Sequence, residues 1–124
     1  MEIREKVCGS VTVLCPSGRI DAAHSDGFQA RLVAAVGRAP VQVVVDMTQV
    51  SYISSVGLRA LMIAAKQTRA AGGKLAVAGL QPVVQEIFEI SRFNFVVKIF
   101  ATVREGLVWM SPDAAAAWDA AATH

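Results

Sequence analysis

The residue types with chemical potential gather in one segment, Asp46-Met47-Thr48-Gln49-Val50-Ser51-Tyr52-Ile53-Ser54-Ser55-Val56-Gly57-Leu58-Arg59. An apolar run leads into a polar turn, and two adjacent serines then open a stretch with helical apolar spacing. The first amides of a helix have no intrahelical acceptor and carry partial positive charge. A serine hydroxyl at that point can cap the helix, and it can equally carry a phosphate. Elsewhere the chain offers little that competes. Its two histidines are His24 and His124, the latter the last residue, and no cluster has metal-ligand spacing. An arrangement of Ser55 with His24 and Asp21 lacks the Gly-x-Ser-x-Gly elbow and the chain order of a hydrolase triad, so the reading is non-enzymatic. Gly72-Gly73 ends a predicted helix instead of opening one, which excludes a phosphate loop. No cofactor is implied.

The elements that must position those serines follow from periodicity. Ile3 to Val7 alternates apolar and charged residues, and Val11 to Cys15 answers it across Gly9-Ser10, a two-residue hairpin turn. In that register Cys8 faces Val11 and Cys15 faces Arg4, too far apart for a disulfide, so both thiols are expected to be free and buried. Pro16-Ser17-Gly18 interrupts the second strand. Phe28, Leu32, Ala35 and Val36 make one helical stripe, ended by Gly37 and Pro40. Valines 41, 43, 44 and 45 without alternation predict a strand buried on both faces.

A second helix is predicted over 55–71, with Leu58, Leu61, Met62 and Ala65 inward and Arg59, Lys66 and Arg69 outward. Lys74 to Ala78 reads as a strand, and Pro82 opens a third helix with the stripe Val83, Val84, Ile87, Phe88 and Ile90. Phe95 to Phe100 reads as the last strand, and Thr102 caps a fourth helix that ends at Met110. The order β-β-α-β-α-β-α-β-α predicts one α/β domain, with a mostly parallel sheet of about five strands and four helices. Residues 1–110 form that domain. Residues 111–124 are an alanine-rich tail with helical composition but no clear apolar face beyond Trp118, either disordered or docked through that tryptophan.

Parallel sheets place their sites at the carboxyl ends of strands. Two loops qualify here, supplying Asp21, His24 and Ser25 from one, and Asp46, Thr48, Ser51, Ser54 and Ser55 from the other. Each of these polar residues can also simply cap a helix or close a turn. Asp21 either orients the acceptor hydroxyl, binds a partner, or stabilises its own turn. Gly57 either admits a close neighbour to the helix start or relieves packing of helix on sheet. Arg59, one turn past Ser55, either meets a phosphate or an acidic partner, or is an ordinary solvated arginine.

The segment Asp46 to Leu58 resembles the signature of STAS domains, specifically the bacterial anti-sigma factor antagonists: an acidic or amide residue ends a strand, and Ser-x-Gly-Leu opens a helix. Gly18-Arg19-Ile20-Asp21, Gly72-Gly73-Lys74-Leu75 and Val83 to Phe93 extend the similarity, which runs as far as Leu107. The resemblance implies partner switching. The unmodified domain binds an anti-sigma factor that is also a serine kinase, and so frees a sigma factor. The kinase uses ATP to phosphorylate the serine at Ser55, the complex falls apart, and a metal-dependent serine phosphatase resets it. Many members carry Asp where this chain has Ser54, so Ser54 is the alternative acceptor. Some carry a second serine where Val56 stands, an apolar knob within the expected contact. Partner contacts are expected from Asp21, His24, Ser25, Ser54, Ser55, Val56, Gly57 and Arg59. Other STAS domains act as scaffolds in stress-sensing assemblies or as small subunits of lipid-transport ATPases, which is the alternative role.

Composition agrees with a bacterial cytoplasmic regulator. The hydrophobic fraction is 54%, much of it alanine, but every uncharged stretch is too short or broken for the roughly 20 residues of a membrane span. The first residues, with charges of both signs, do not read as a signal peptide. Net charge is +2, from 12 basic and 10 acidic residues dispersed along the chain, which gives no basic stripe for nucleic acid. The oligomeric state is left open.

Overall fold

A left-handed Gly9 (φ +60°) turns the chain between β1 (Glu2–Cys8) and β2 (Val11–Ile20), and the hairpin pairs Cys8 with Val11 and Arg4 with Cys15 as expected. The computed structural model describes residues 1–122. His124 lies outside them. After the hairpin come α1 (Ser25–Val36), β3 (Gln42–Asp46), β4 (Gln49–Ile53), α2 (Ser55–Ala70), β5 (Lys74–Ala78) and α3 (Pro82–Ile90). A 3-10 turn at Phe93–Phe95, β6 (Lys98–Phe100), α4 (Val103–Met110) and α5 (Pro112–Ala122) complete the chain. The sheet runs β1-β2-β3-β5-β6, antiparallel at the first pair and parallel from β2 onward, and β4 pairs with the far end of β2.

The valines of β3 behave as buried-strand residues should. Val43, Val44 and Val45 are 1% exposed or less because helices cover both sides of the sheet. One core joins the sheet to α1, α2 and α3 through Phe28, Leu32, Leu61, Val84 and Phe88. The other joins it to α4 and α5 through Val13, Val44, Ala76, Leu107 and Ala114.

Among the described residues the sheet has six strands and the fold five α-helices, against the five and four expected. The extra strand is β4. Residues that read as a polar turn pair in parallel with Ser17–Ile20, so β2 runs on through Pro16 and Gly18 instead of stopping there. A bulge between Gly18 and Arg19, with Gly18 at φ +101°, lets the strand bend from β3 toward β4. The last strand is shorter than expected, since Phe93–Phe95 coils into the 3-10 turn. The extra helix is the alanine-rich tail. Ala114 and Ala115 are buried in the second core, Lys6 lies 5.4 Å from the Trp118 ring, and Arg104 pairs with Asp119 at 3.0 Å. The small alanine face lets α5 sit close to the hairpin turn.

Two predicted stripes are narrower than expected. On α3, Val84 and Phe88 are buried, but Val83 is 57% and Ile90 77% exposed. On α2, Met62 faces outward while Leu58, Leu61 and Ala65 are buried. Both cysteines are free, Cys8 buried and Cys15 half-buried, and burial pushes both thiols above their ordinary pKa.

Candidate functional site

The pairing of β2 with β4 assembles the site. Ile20 sits beside Ile53 in parallel register, so the loops that follow them leave the sheet side by side. The amide of Ser54 donates to the Ile20 carbonyl at 2.8 Å, which ties the start of α2 to the residue before Asp21.

The two serines do different work. Ser54 has extended backbone (φ −83°, ψ 170°) and occupies the N-cap, its Oγ accepting from the Gly57 amide at 3.2 Å. Its carbonyl takes the Leu58 amide at 2.9 Å, the first bond of the helix. Ser55 is the first helical residue and is exposed, with no side-chain hydrogen bond among the described residues. Next to it Val56 is 44% exposed. The free hydroxyl and the apolar knob therefore share one surface at the mouth of α2.

Gly57 is buried. A Cβ built there would stand 2.8 Å from both Ile20 Cγ2 and Ile53 Cγ1, and 3.3 Å from the Ile20 carbonyl. The close approach that needs glycine is thus to the chain's own strands, and Gly57 presents no side chain to a partner. Leu58 and Leu61 on the same helix anchor it to the first core.

On the adjacent loop, Asp21 accepts from His24 twice: its Oδ1 lies 2.7 Å from His24 Nδ1 and 3.2 Å from the His24 amide. Burial works to raise the Asp21 carboxyl, but these bonds and the His24 charge outweigh it, and its pKa is lowered. The residue therefore stabilises its own turn, with the imidazole exposed beside it. Ser25 departs from the expected exposed rim. It is 2% exposed, and its Oγ donates to the Ala22 carbonyl at 3.2 Å to close the first turn of α1. Arg59 is exposed and makes no ion pair or hydrogen bond among the described residues.

The rest of the polar segment closes its own turn. Asp46 Oδ1 accepts from the Thr48 amide at 3.0 Å and from Thr48 Oγ1 at 2.7 Å. Ser51 Oγ reaches the Gly18 carbonyl only at 3.5 Å. Two residues not singled out from sequence join the site. Arg19 stacks on Tyr52 at 4.5 Å from the ring centroid, bridging the ends of β2 and β4. Without the β2–β4 pairing, nothing in the sequence links them. Among the described residues no group of three or more His, Cys, Asp or Glu side chains can hold a metal. No helix among the described residues is long and apolar enough to cross a membrane.

A strand-terminated serine pair opening a helix, set beside the first β–α loop of a mixed sheet, defines the class. The STAS domain model matches residues 2–106, and the chain belongs to the STAS domain family. BtrV of Bordetella bronchiseptica, whose name assigns it provisionally to the anti-sigma factor antagonists, is 38% identical over 89 residues, 72% of this chain and 76% of that one. An anti-sigma factor antagonist from Mycobacterium paratuberculosis has the same fold at 20% identity, with a TM-score of 0.81 over 88% of this chain and 92% of that one. The Bacillus antagonist SpoIIAA, solved unphosphorylated and phosphorylated, shares the fold at 15% and 16% identity. Both forms give a TM-score of 0.66 over 86% of this chain, and cover 94% and 96% of the SpoIIAA chain respectively.

Proposed function

We propose that this protein is an anti-sigma factor antagonist whose binding is switched by phosphate on Ser55. In its unmodified form it docks on an anti-sigma factor through the surface at the mouth of α2, and so frees a sigma factor. The partner is itself a serine kinase, which uses ATP to esterify Ser55. A metal-dependent serine phosphatase removes the phosphate, and the cycle runs in the cytoplasm.

The observation that carries this reading is the division of labour between the serines. Ser54 Oγ is engaged as the cap, while Ser55 Oγ is free and exposed beside Val56. That favours Ser55 over Ser54 as the acceptor. A phosphate there adds roughly −1.5 to −2 charges and three acceptor oxygens. The partial positive charge of the helix start offsets about 0.3–1 kcal/mol of it, and Arg59 stands one turn on. The fold can therefore keep its shape with the phosphate in place. A partner packed over the same spot would have to bury a dianion, which costs several kcal/mol, and every 1.4 kcal/mol is tenfold in affinity. Loss of docking needs no conformational change.

The test is incubation with the cognate anti-sigma kinase and ATP, read by intact mass and by capture of the partner. One phosphate is expected on the parent and on Ser54→Asp, and none on Ser55→Ala. Ser55→Ala should hold the partner, and Ser55→Glu should release it. No phosphate on the parent, together with copurification of a membrane transport ATPase, would replace this reading with a structural-subunit role.

A further inference from the structure

At the pole opposite the serines, the end of α2, the starts of β5 and β6 and the last turn of α4 border an open hollow of about 220 Å³. Its charged lining is entirely basic: Arg69, Lys74 and Lys98. Elsewhere Arg4 pairs with Glu2, Arg38 with Glu5 and Arg104 with Asp119. None of the three pocket cations has an acidic partner among the described residues. One of them is held in place. The Lys74 ammonium sits 5.0 Å from the centre of the Trp109 ring and donates to the Trp109 carbonyl at 3.4 Å. The indole is in turn packed against Phe100 at 5.6 Å. The floor is apolar and buried, from Ala65, Leu75 and Val97.

Like charges that converge on one concavity repel each other, and the repulsion is relieved when an anion enters. Two helix C-termini engage two of these cations, α2 through Arg69 in its last turn and α4 through the Trp109 carbonyl that takes Lys74, and Lys98 has no such partner. We propose that this hollow is a binding site for a compact dianion of the phosphate class. A phosphate or the phosphomonoester end of a small metabolite suits a hollow of this size. Lys74 supplies a fixed point charge, Arg69 a fork suited to two phosphate oxygens, and Lys98 the third contact.

The measurement is an NMR titration of the full chain at low ionic strength, with inorganic phosphate in one arm and glycerol 3-phosphate in the other. The indole N–H of Trp109 should shift and saturate in the millimolar range, while that of Trp118 stays still as an internal reference. Arg69→Gln and Lys98→Gln should each weaken binding about three- to fivefold, the worth of an exposed charge pair. Arg31→Gln removes an equal charge from α1 and should change nothing. Tighter binding of the ester identifies a metabolite as the source, and equal binding identifies free phosphate; both support the site. Shifts that never saturate in either arm, or an equal weakening in Arg31→Gln, would reduce the pocket to general charge screening and overturn the proposal.

Discussion

Replacing each serine of the pair by alanine separates their roles in a single measurement. Ser54→Ala removes the Oγ that accepts the Gly57 amide at 3.2 Å and leaves a first-turn donor without its cap. Loss of a serine N-cap costs about 1 kcal/mol, within a range of roughly 0.5–2. Ser55→Ala removes no hydrogen bond within the protein, and alanine is a better helix former by roughly half a kcal/mol. The two variants should therefore differ by about 1.5 kcal/mol, with Ser54→Ala below the parent and Ser55→Ala at or slightly above it. For a chain of 124 residues that difference is a gap of about 6 °C in Tm. Urea unfolding with unchanged m-values is the assay, because a shift in midpoint alone then reports stability. Ser54→Asp supplies the internal control, since aspartate caps as well as serine and should restore the parent midpoint. If Ser54→Ala proves neutral, or Ser55→Ala costs as much, the assignment of cap and free hydroxyl is wrong.

Three further outcomes follow from the same contacts. Gly57→Ala should destabilise by about 1–3 kcal/mol in urea unfolding, because its Cβ meets Ile20 and Ile53 at 2.8 Å and this outweighs the roughly 1 kcal/mol helix gain; a stabilised variant would refute the packing argument. Asp21 should titrate below the ordinary aspartate range by NMR, and His24→Ala should bring it back up. Because its folded pKa is the lower one, the pair stabilises the fold above about pH 4 and that contribution is lost as pH falls through the lowered value. Trp118→Ala should cost about 1–2 kcal/mol, less than a fully buried tryptophan, and accelerate amide exchange in α5 while β3 and β5 stay protected; unchanged exchange in α5 would mean that Trp118 does not anchor it.

What the sequence disclosed depended on whether the signal was local. The hairpin register, the buried valines of β3, Pro82 at the start of α3 and Thr102 as the cap of α4 are set by neighbouring residues, and each is found as read. The pairing of β4 with β2 is not local. It joins Gln49–Ile53 to Ser17–Ile20 around a bulge, so residues that read as a polar turn become a strand. The same blind spot hid Arg19 and Tyr52, which meet only because those strands are neighbours. For the serine pair, spacing placed both at a helix start. Only the geometry of the Gly57 amide tells which one is engaged, since either could cap a helix that begins one residue earlier or later. Ser25 differs for a related reason: a serine at a helix start reads as exposed, but Phe28 three residues on draws that turn into the core.

The non-local pairing also bears on the charge switch proposed for Ser55. The Ser54 amide is fixed on the Ile20 carbonyl at 2.8 Å, and Gly57 is wedged against Ile20 and Ile53. The first turn of α2 is thus held by the sheet, from beneath and independently of the Ser55 side chain. Charge added at the exposed Ser55 faces solvent at the partly positive helix start, with Arg59 one turn on. Its unfavourable energy therefore falls mainly on whatever covers that surface. A switch of this kind works best when the acceptor lies on a rigid element, because a flexible loop could swing the phosphate out to solvent and keep the partner bound. Loosening the anchor tests this directly. In Gly57→Ala the difference in partner affinity between the unmodified and phosphorylated forms should shrink, measured by calorimetry on both forms. An undiminished difference would mean that rigidity at the mouth of α2 has no part in the switch.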